Sequence, residues 1–307
     1  MRVIFMGTPE FAVPSLEVVA EEHQLLAVVT QPDRKRGRGQ QVRYSPVKKE
    51  ALKYEVPVHQ PEKVNTSQFI TAMAEYEPDV IVVVAFGQKI AKPLLELPIH
   101  GCINVHASLL PKYRGAAPIQ YAIINGDHVT GVTTMYLSEG WDEGDMILQA
   151  EEPVLPTDTA GTLHDRLAKS GAALLAETLD LIAAGQAPRI PQEHEHATYA
   201  YKLTKSDGEI DWRLPAIKIA NLVRGLNPWP TAYTFFDAET IKIWEASPAA
   251  QGLYLPGEIL AISPEGILVG TGNGSLLLKK LQRQGTRVLD AYDVANGLRL
   301  RAGQKFG

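Results

Sequence analysis

Asp79-Val80-Ile81-Val82-Val83-Val84-Ala85 is an unbroken β-branched run. A strand with one wet face alternates polar and apolar side chains. This one does not, so it belongs in a parallel sheet covered on both faces. Strand-like segments flank it: Arg2–Met6 and Leu25–Thr30 before, Cys102–His106 after. Between the first two, Thr8 is expected to cap a helix with Pro9 in its first turn. Pro118–Asn125 reads as a helix stopped by Gly126. Thr130–Leu137 and Asp145–Val154 read as strands. Thr159–Ala184 is a long helical pattern, opened by Thr159 or Thr162 and closed by Gly185. The alternation predicts an α/β fold, with a Rossmann-like open sheet over residues 1–188.

The pattern then changes. Pro188, Pro191 and polar clusters mark residues 189–207 as a linker. Over 208–307 a single helix, Leu214–Leu226, precedes short strands at Ala232–Phe236, Thr240–Ala246, Gly257–Ser263, Gly266–Gly270 and Ser275–Leu281. Strands at this spacing suggest a small OB-like β-barrel, with a β-sandwich as the alternative. Trp212 and Trp229 are expected to anchor the packing of this second domain.

Composition narrows the class. With 45% hydrophobic and 21% charged residues in 307, the chain has the make-up of a globular protein large enough for two domains. The apolar run at Val3–Met6 is too short for a signal peptide, and no stretch reaches the ~20 residues of a membrane span. One cysteine, Cys102, excludes an internal disulfide and a thiolate zinc cluster. A cytoplasmic location is expected. Gly7-Thr8-Pro9-Glu10 follows the first strand but lacks the G-x-G-x-x-G spacing, which argues against a dinucleotide cofactor. His194-Glu195-His196 has no third ligand nearby and reads as a solvated connector, so no metal is expected.

Net charge is −5, yet charge is unevenly placed. Residues 33–53 hold eight basic side chains against two acidic ones, a local +6; Arg34, Lys35, Arg36, Arg38 and Arg43 lead the group. Lys279 and Lys280 begin a second, weaker group. An acidic protein with basic patches can still hold a polyanion, because contact is local. Most charge runs are only solvated surface; here Gly37 and Gly39 flank Arg38, which suits a mobile cationic loop.

The chemistry-bearing stretch is Gly101-Cys102-Ile103-Asn104-Val105-His106-Ala107-Ser108-Leu109-Leu110-Pro111-Lys112-Tyr113-Arg114-Gly115-Ala116-Ala117-Pro118. On a strand, Asn104 and His106 face the same way. They stand at its C-terminal end, where open α/β sheets hold ligands. An amide can donate to an oxygen gaining charge, and an imidazole can move a proton near neutral pH. Gly140-Trp141-Asp142-Glu143-Gly144-Asp145 supplies a carboxylate to support the imidazole; spacing alone leaves Asp142 and Asp145 as rivals.

The run Asn104–Pro111, followed by Tyr113–Pro118 and Asp142–Asp145, resembles the folate-dependent formyltransferases. Phe5–Phe11, Gln31–Arg34, Gly37–Gly39, Ser45–Lys48 and Asn227–Pro230 extend the resemblance over both domains, and the basic insert resembles the tRNA-acting branch. The resemblance implies Asn104, His106 and Asp142 as catalytic residues. It implies a folate site lined by Ser108, Leu109, Leu110 and Pro111, with Phe86 and Gly87 beside it. The implied reaction moves the formyl group of 10-formyltetrahydrofolate, a reduced folate, to the α-amine of methionine on initiator methionyl-tRNA. Arg34, Lys35, Arg36, Arg38, Arg43, Lys279 and Lys280 would then touch the tRNA, and a monomer is expected. The alternatives are transfer to a small-molecule amine, hydrolysis of formylfolate, or a non-catalytic tRNA-binding module.

Overall fold

The computed structural model describes residues 1–36 and 41–307. Arg38 lies outside the described residues. The strands and helices of the first half are β1 Arg2–Gly7, α1 Val13–Glu22, β2 Gln24–Val29, β3 Arg34–Arg36, β4 Gln41–Arg43, α2 Pro46–Ala51, β5 Val58–His59, α3 Ser67–Ala74, β6 Val80–Val84, α4 Lys92–Leu95, β7 Cys102–His106, β8 Arg114–Gly115, α5 Pro118–Asn125, β9 Val129–Tyr136, β10 Met146–Pro153 and α6 Ala160–Ala183. They are followed by β11 Tyr199–Ala200, α7 Ala216–Gly225, β12 Ala232–Phe236, β13 Glu239–Pro248, β14 Ile259–Ser263, β15 Gly266–Gly270, β16 Ser275–Arg283, β17 Leu289–Asp290 and α8 Ala291–Leu298. The chain divides into two compact units. One comprises Met1–Gly115, Val129–Pro153 and His164–Tyr199; the other comprises Ala116–His128, Val154–Leu163 and Ala200–Gly307. No helix of the described residues is long and apolar enough to cross a membrane.

The first unit is built on a seven-stranded sheet, ordered β10-β9-β7-β6-β1-β2-β5. β7, β6, β1, β2 and β5 run parallel, and the β9–β10 hairpin extends the edge antiparallel. All five residues of β6 are buried, as its unbroken apolar run requires. On one face Ile4, Met6, Ile81 and Val83 meet Phe69, Met73 and Leu94. Each such fully buried aliphatic contributes roughly 1.5–3 kcal/mol. On the other face α6 lies close to β7: a Cβ on Gly171 would come within 2.9 Å of Val105 Cγ1. Thr159 caps α6, its hydroxyl accepting from Thr162 N at 3.2 Å, and Gly185 ends it at φ +67°.

Three expectations are corrected here. Thr8 is not a helix cap; its hydroxyl donates to the Phe86 carbonyl at 3.1 Å and ties the turns after β1 and β6 together. Part of the basic stretch is regular: β3 and β4 pair antiparallel, with Arg34 opposite Arg43, and Ser45 caps α2 by accepting from Lys48 N at 3.0 Å. Helices α2, α3 and α8 stand where no helix was expected.

The second unit carries an antiparallel sheet ordered β12-β13-β16-β15-β14, with β17 on β16. Its inner face buries Ile241, Ile243, Ile267, Val269, Leu276 and Leu278 against Ile219 of α7 and Val294 of α8. Trp212 is buried, donating to Thr234 Oγ1 at 2.9 Å and stacking on Phe306. Trp229, by contrast, is 52% exposed, so it does not anchor this core. Segment 116–128 belongs to this unit because α5 packs on α7 through Gly225, whose Cβ would come within 2.6 Å of Ile124 Cγ1.

Candidate active site

Asn104 and His106 lie on β7, on the face that Cys102 shares with the core cluster, and at the C-terminal end of the parallel strands. They are 8% and 6% exposed. Among the described residues the Asn104 side chain makes no hydrogen bond, so its amide is available to a substrate oxygen. Cys102 is no rival nucleophile: burial pushes its thiol up to about 12.

His106 has a defined orientation. Its Nε2 lies 2.9 Å from the Tyr113 carbonyl oxygen. A carbonyl only accepts, so Nε2 carries the hydrogen. Neutral His106 therefore presents its lone pair at Nδ1, and the Asp142 carboxylate lies 3.8 Å from that atom. Asp142 Oδ2 also accepts from Gly115 N at 2.8 Å. The rival Asp145 faces Arg189 instead, at 3.7 Å. Tyr113 (φ +59°) and Asp142 (φ +49°) both hold left-handed backbone conformations. Such residues persist only where the surroundings hold them, and they collect at functional sites.

The turn that carries Asp142 tolerates no side chain at Gly144, where a Cβ would stand 1.9 Å from the Tyr136 carbonyl oxygen. Gly144→Ala is expected to cost about 1–3 kcal/mol of stability. Urea unfolding measures the loss, and turnover should fall with it because the Asp142 turn shifts.

The folate-lining candidates divide by exposure. Ser108 is fully buried and donates to Lys112 O at 2.6 Å; Leu110 is 3% exposed, with its N–H on Thr133 Oγ1 at 3.1 Å. These two shape the loop from inside. Leu109 and Pro111 are partly exposed. The Phe86 ring is in the core cluster, while its carbonyl accepts from Thr8 and from Gln31 Nε2. Gly87 has φ +87°, and a Cβ there would meet only Gln31 Nε2, at 3.9 Å. Its backbone is open on that side.

The basic candidates also divide. Arg34 and Arg43 are exposed and face each other across the β3–β4 ladder, an arrangement that like charges oppose unless an anion joins them. Neither has an ion pair among the described residues. Lys35 and Arg36 lie on β3. The ribbon's base is clamped: Lys48 pairs with Asp33, donates to Gln60 Oε1 at 2.6 Å and lies over the Tyr44 ring. Desolvation pushes Asp33 up, but hydrogen bonds from Lys48 and Gln60 and the Lys48 charge outweigh it and leave the carboxyl below its ordinary value. In the second unit Lys279 faces Glu245 at 3.5 Å and Lys280 meets Asp290 at 2.9 Å, so both charges have carboxylate partners.

Gln192, which carried no sequence signal, completes the surroundings. Arg114, only 2% exposed, is held by Gln192 and His194. His194 is exposed, and its Nδ1 accepts from Arg114 Nη1 at 3.2 Å.

Residues 1–179 match the formyl transferase family, and 202–299 match the formyl transferase C-terminal domain. Two relatives named methionyl-tRNA formyltransferase are similar end to end. The one from Desulforamulus reducens is 49% identical over 310 residues, covering 100% of this chain and 98% of its own. The one from Geobacter sulfurreducens is 47% identical over 308 residues, covering 100% and 97%. Solved structures share the fold at lower identity. HypX from Aquifex aeolicus in complex with tetrahydrofolic acid aligns at TM-score 0.64 and 19% identity, over 98% of this chain but 48% of that one, so this chain spans about half of HypX. The N-formyltransferase from Helicobacter canadensis in complex with folinic acid and dTDP-3-aminofucose aligns at 0.67 and 19%, over 92% and 98%. Matched along its whole length by relatives at nearly half identity, the chain belongs to the methionyl-tRNA formyltransferase family.

Proposed function

We propose that this enzyme transfers the formyl group of 10-formyltetrahydrofolate to the α-amino group of methionine on initiator methionyl-tRNA, giving N-formylmethionyl-tRNA. End-to-end similarity to relatives of that name supports the reaction. The observation that carries the mechanism is the orientation of His106, with Nε2–H on a carbonyl and Nδ1 facing a carboxylate.

The folate, when bound, supplies the formyl carbon and the departing nitrogen. Asn104 donates from its amide to the formyl oxygen as that oxygen gains negative charge. His106 takes the proton of the attacking amine at Nδ1 and returns it to the leaving nitrogen as the carbon–nitrogen bond breaks. Asp142 stabilises the imidazolium in between. Leu109, Pro111 and the backbone of Gly87 flank the folate, and Ser108, Leu110 and Phe86 hold that flank in shape.

For the tRNA, the uncompensated pair Arg34 and Arg43 leads, with Lys35, Arg36 and Arg38 on the same stretch. Lys279 and Lys280 have lesser parts because their charges are already paired. We read the antiparallel sheet of the second unit as an OB-like platform for the tRNA, the working form as a monomer, and the place of work as the cytoplasm, where charged initiator tRNA meets the ribosome.

The test is formyl transfer with charged initiator tRNA beside small amines such as amino sugars; transfer to the small amines alone would overturn the assignment. Replacing Arg34 and Arg43 together by Ala should raise KM for tRNA and reduce the slope of log affinity against log salt by about 2, one per lost phosphate contact. The same experiment on Lys279 and Lys280 should give a smaller change. Unchanged tRNA kinetics in the arginine variant would remove the ribbon from the interface.

A further inference from the structure

The stretch between the two family matches, residues 180–201, contains a short segment that touches both catalytic loops. Gln192 is 5% exposed, and each end of its amide is engaged. Its Nε2 donates to the backbone carbonyls of Asp142, at 2.9 Å, and Gly144, at 2.8 Å. Its Oε1 accepts from Arg114 Nε at 3.0 Å and Nη2 at 2.7 Å. Six residues on, Thr198 Oγ1 accepts from Tyr113 N at 2.8 Å, and Thr198 O accepts from Arg114 N at 2.8 Å. One segment thus holds the residue whose carbonyl orients His106 and the turn that aims Asp142. Both anchored residues have left-handed backbones, the conformation that relaxes first when its support is removed.

Arg114 is a second sign of a built arrangement. Among the described residues the partners of this buried guanidinium are neutral, Gln192 and His194. A buried cation without a carboxylate is costly, and a solvated linker gives no reason to keep one. It does lock the Gln192 amide: Oε1 must face Arg114, so Nε2 must face the Asp142 turn.

We propose that Gln192 is a positioning residue for catalysis, and that residues 192–198 form a strap that sets the distance between His106 and Asp142. This rests on the reading of Asn104, His106 and Asp142 as the catalytic group. The strap touches neither substrate by this account, so its effect belongs in kcat and not in either KM.

The discriminating variant is Gln192→Glu, made in the full-length chain. A carboxylate still accepts from Arg114, and now neutralises it, but it cannot donate to the Asp142 and Gly144 carbonyls. If Gln192 served only to satisfy Arg114, Gln192→Glu would keep full turnover. The expected result is a protein that still folds, with a kcat lower by up to ~10²-fold, the cost of a misplaced catalytic group, and both KM values unchanged. Gln192→Ala should lower kcat similarly but also lose stability, since it leaves Arg114 with a partner fewer. Gln192→Glu with unaltered kcat, or with its whole loss in KM, would overturn the strap. Asp142→Asn run beside it separates the causes: if that variant keeps full turnover, the reading of the site fails and the strap falls with it; if it is impaired while Gln192→Glu is not, the strap alone is wrong.

Discussion

His106→Ala lowers kcat by about 10²- to 10⁴-fold, the usual contribution of a positioned acid–base group. The expectation follows from three atoms. Nε2 is committed to the Tyr113 carbonyl at 2.9 Å, which leaves Nδ1 as the nitrogen that can accept a proton. Asp142 Oδ2 is 3.8 Å from Nδ1, too far to hold a hydrogen bond across the gap and close enough to face a proton arriving there. An amine attacking a formyl group must lose a proton, and the leaving nitrogen must gain one; a ring that does both from one atom removes the need for free base and acid. The variant also withdraws a donor from the Tyr113 carbonyl, so a stability loss of about 1 kcal/mol should accompany it. Single-turnover formyl transfer, compared with urea unfolding, separates the two effects. A variant that keeps normal single-turnover rates would remove His106 from the chemistry.

Asn104→Ala is expected to slow the reaction by roughly a hundredfold or more, about 3 kcal/mol in the barrier, but with a different signature in stability. The Asn104 amide is 8% exposed and, among the described residues, has no hydrogen-bond partner. The amide atoms are not sealed from solvent, so replacing them with a methyl should leave stability nearly unchanged. Activity falls because the amide that would donate to the developing oxyanion is gone. The KM for folate and tRNA should move little, because the formyl oxygen becomes a strong acceptor only in the transition state. An Asn104→Ala protein that is both less stable and fully active would show the amide to be structural.

The two variants test different parts of what was readable in the chain. Cys102–His106 could be read as a strand, and its period of two placed Asn104 and His106 on one face before any packing was known. Pro118–Asn125 with Gly126, and Thr159–Ala184 with Gly185, carried their own stops. The strands of the second unit were separated by turn residues. Helix α8 does carry a local signal: Ala291, Val294, Ala295 and Leu298 repeat at helical spacing. Other features had no local signal. Thr8 looks like a cap because threonine before proline often is one, yet its hydroxyl finds a carbonyl in the turn after β6, 78 residues away. Trp229 looks like a core residue by type, but the core of the second unit closes on Trp212 and Phe306 without it.

Local chemistry in the chain therefore determined the longer strands, the ends of α5 and α6, and the presence of an amide and an imidazole at one sheet edge, because period, capping and turn preference act over a few residues. Tertiary structure alone decided which of Asp142 and Asp145 faces the imidazole, which of its nitrogens is left free, which basic side chains meet a carboxylate, and that a glutamine from an apparent linker braces the Asp142 turn. Each of those depends on which groups come within about 3–4 Å of each other, the range over which hydrogen bonds and close charge pairs act. That proximity is created by residues dozens of positions apart.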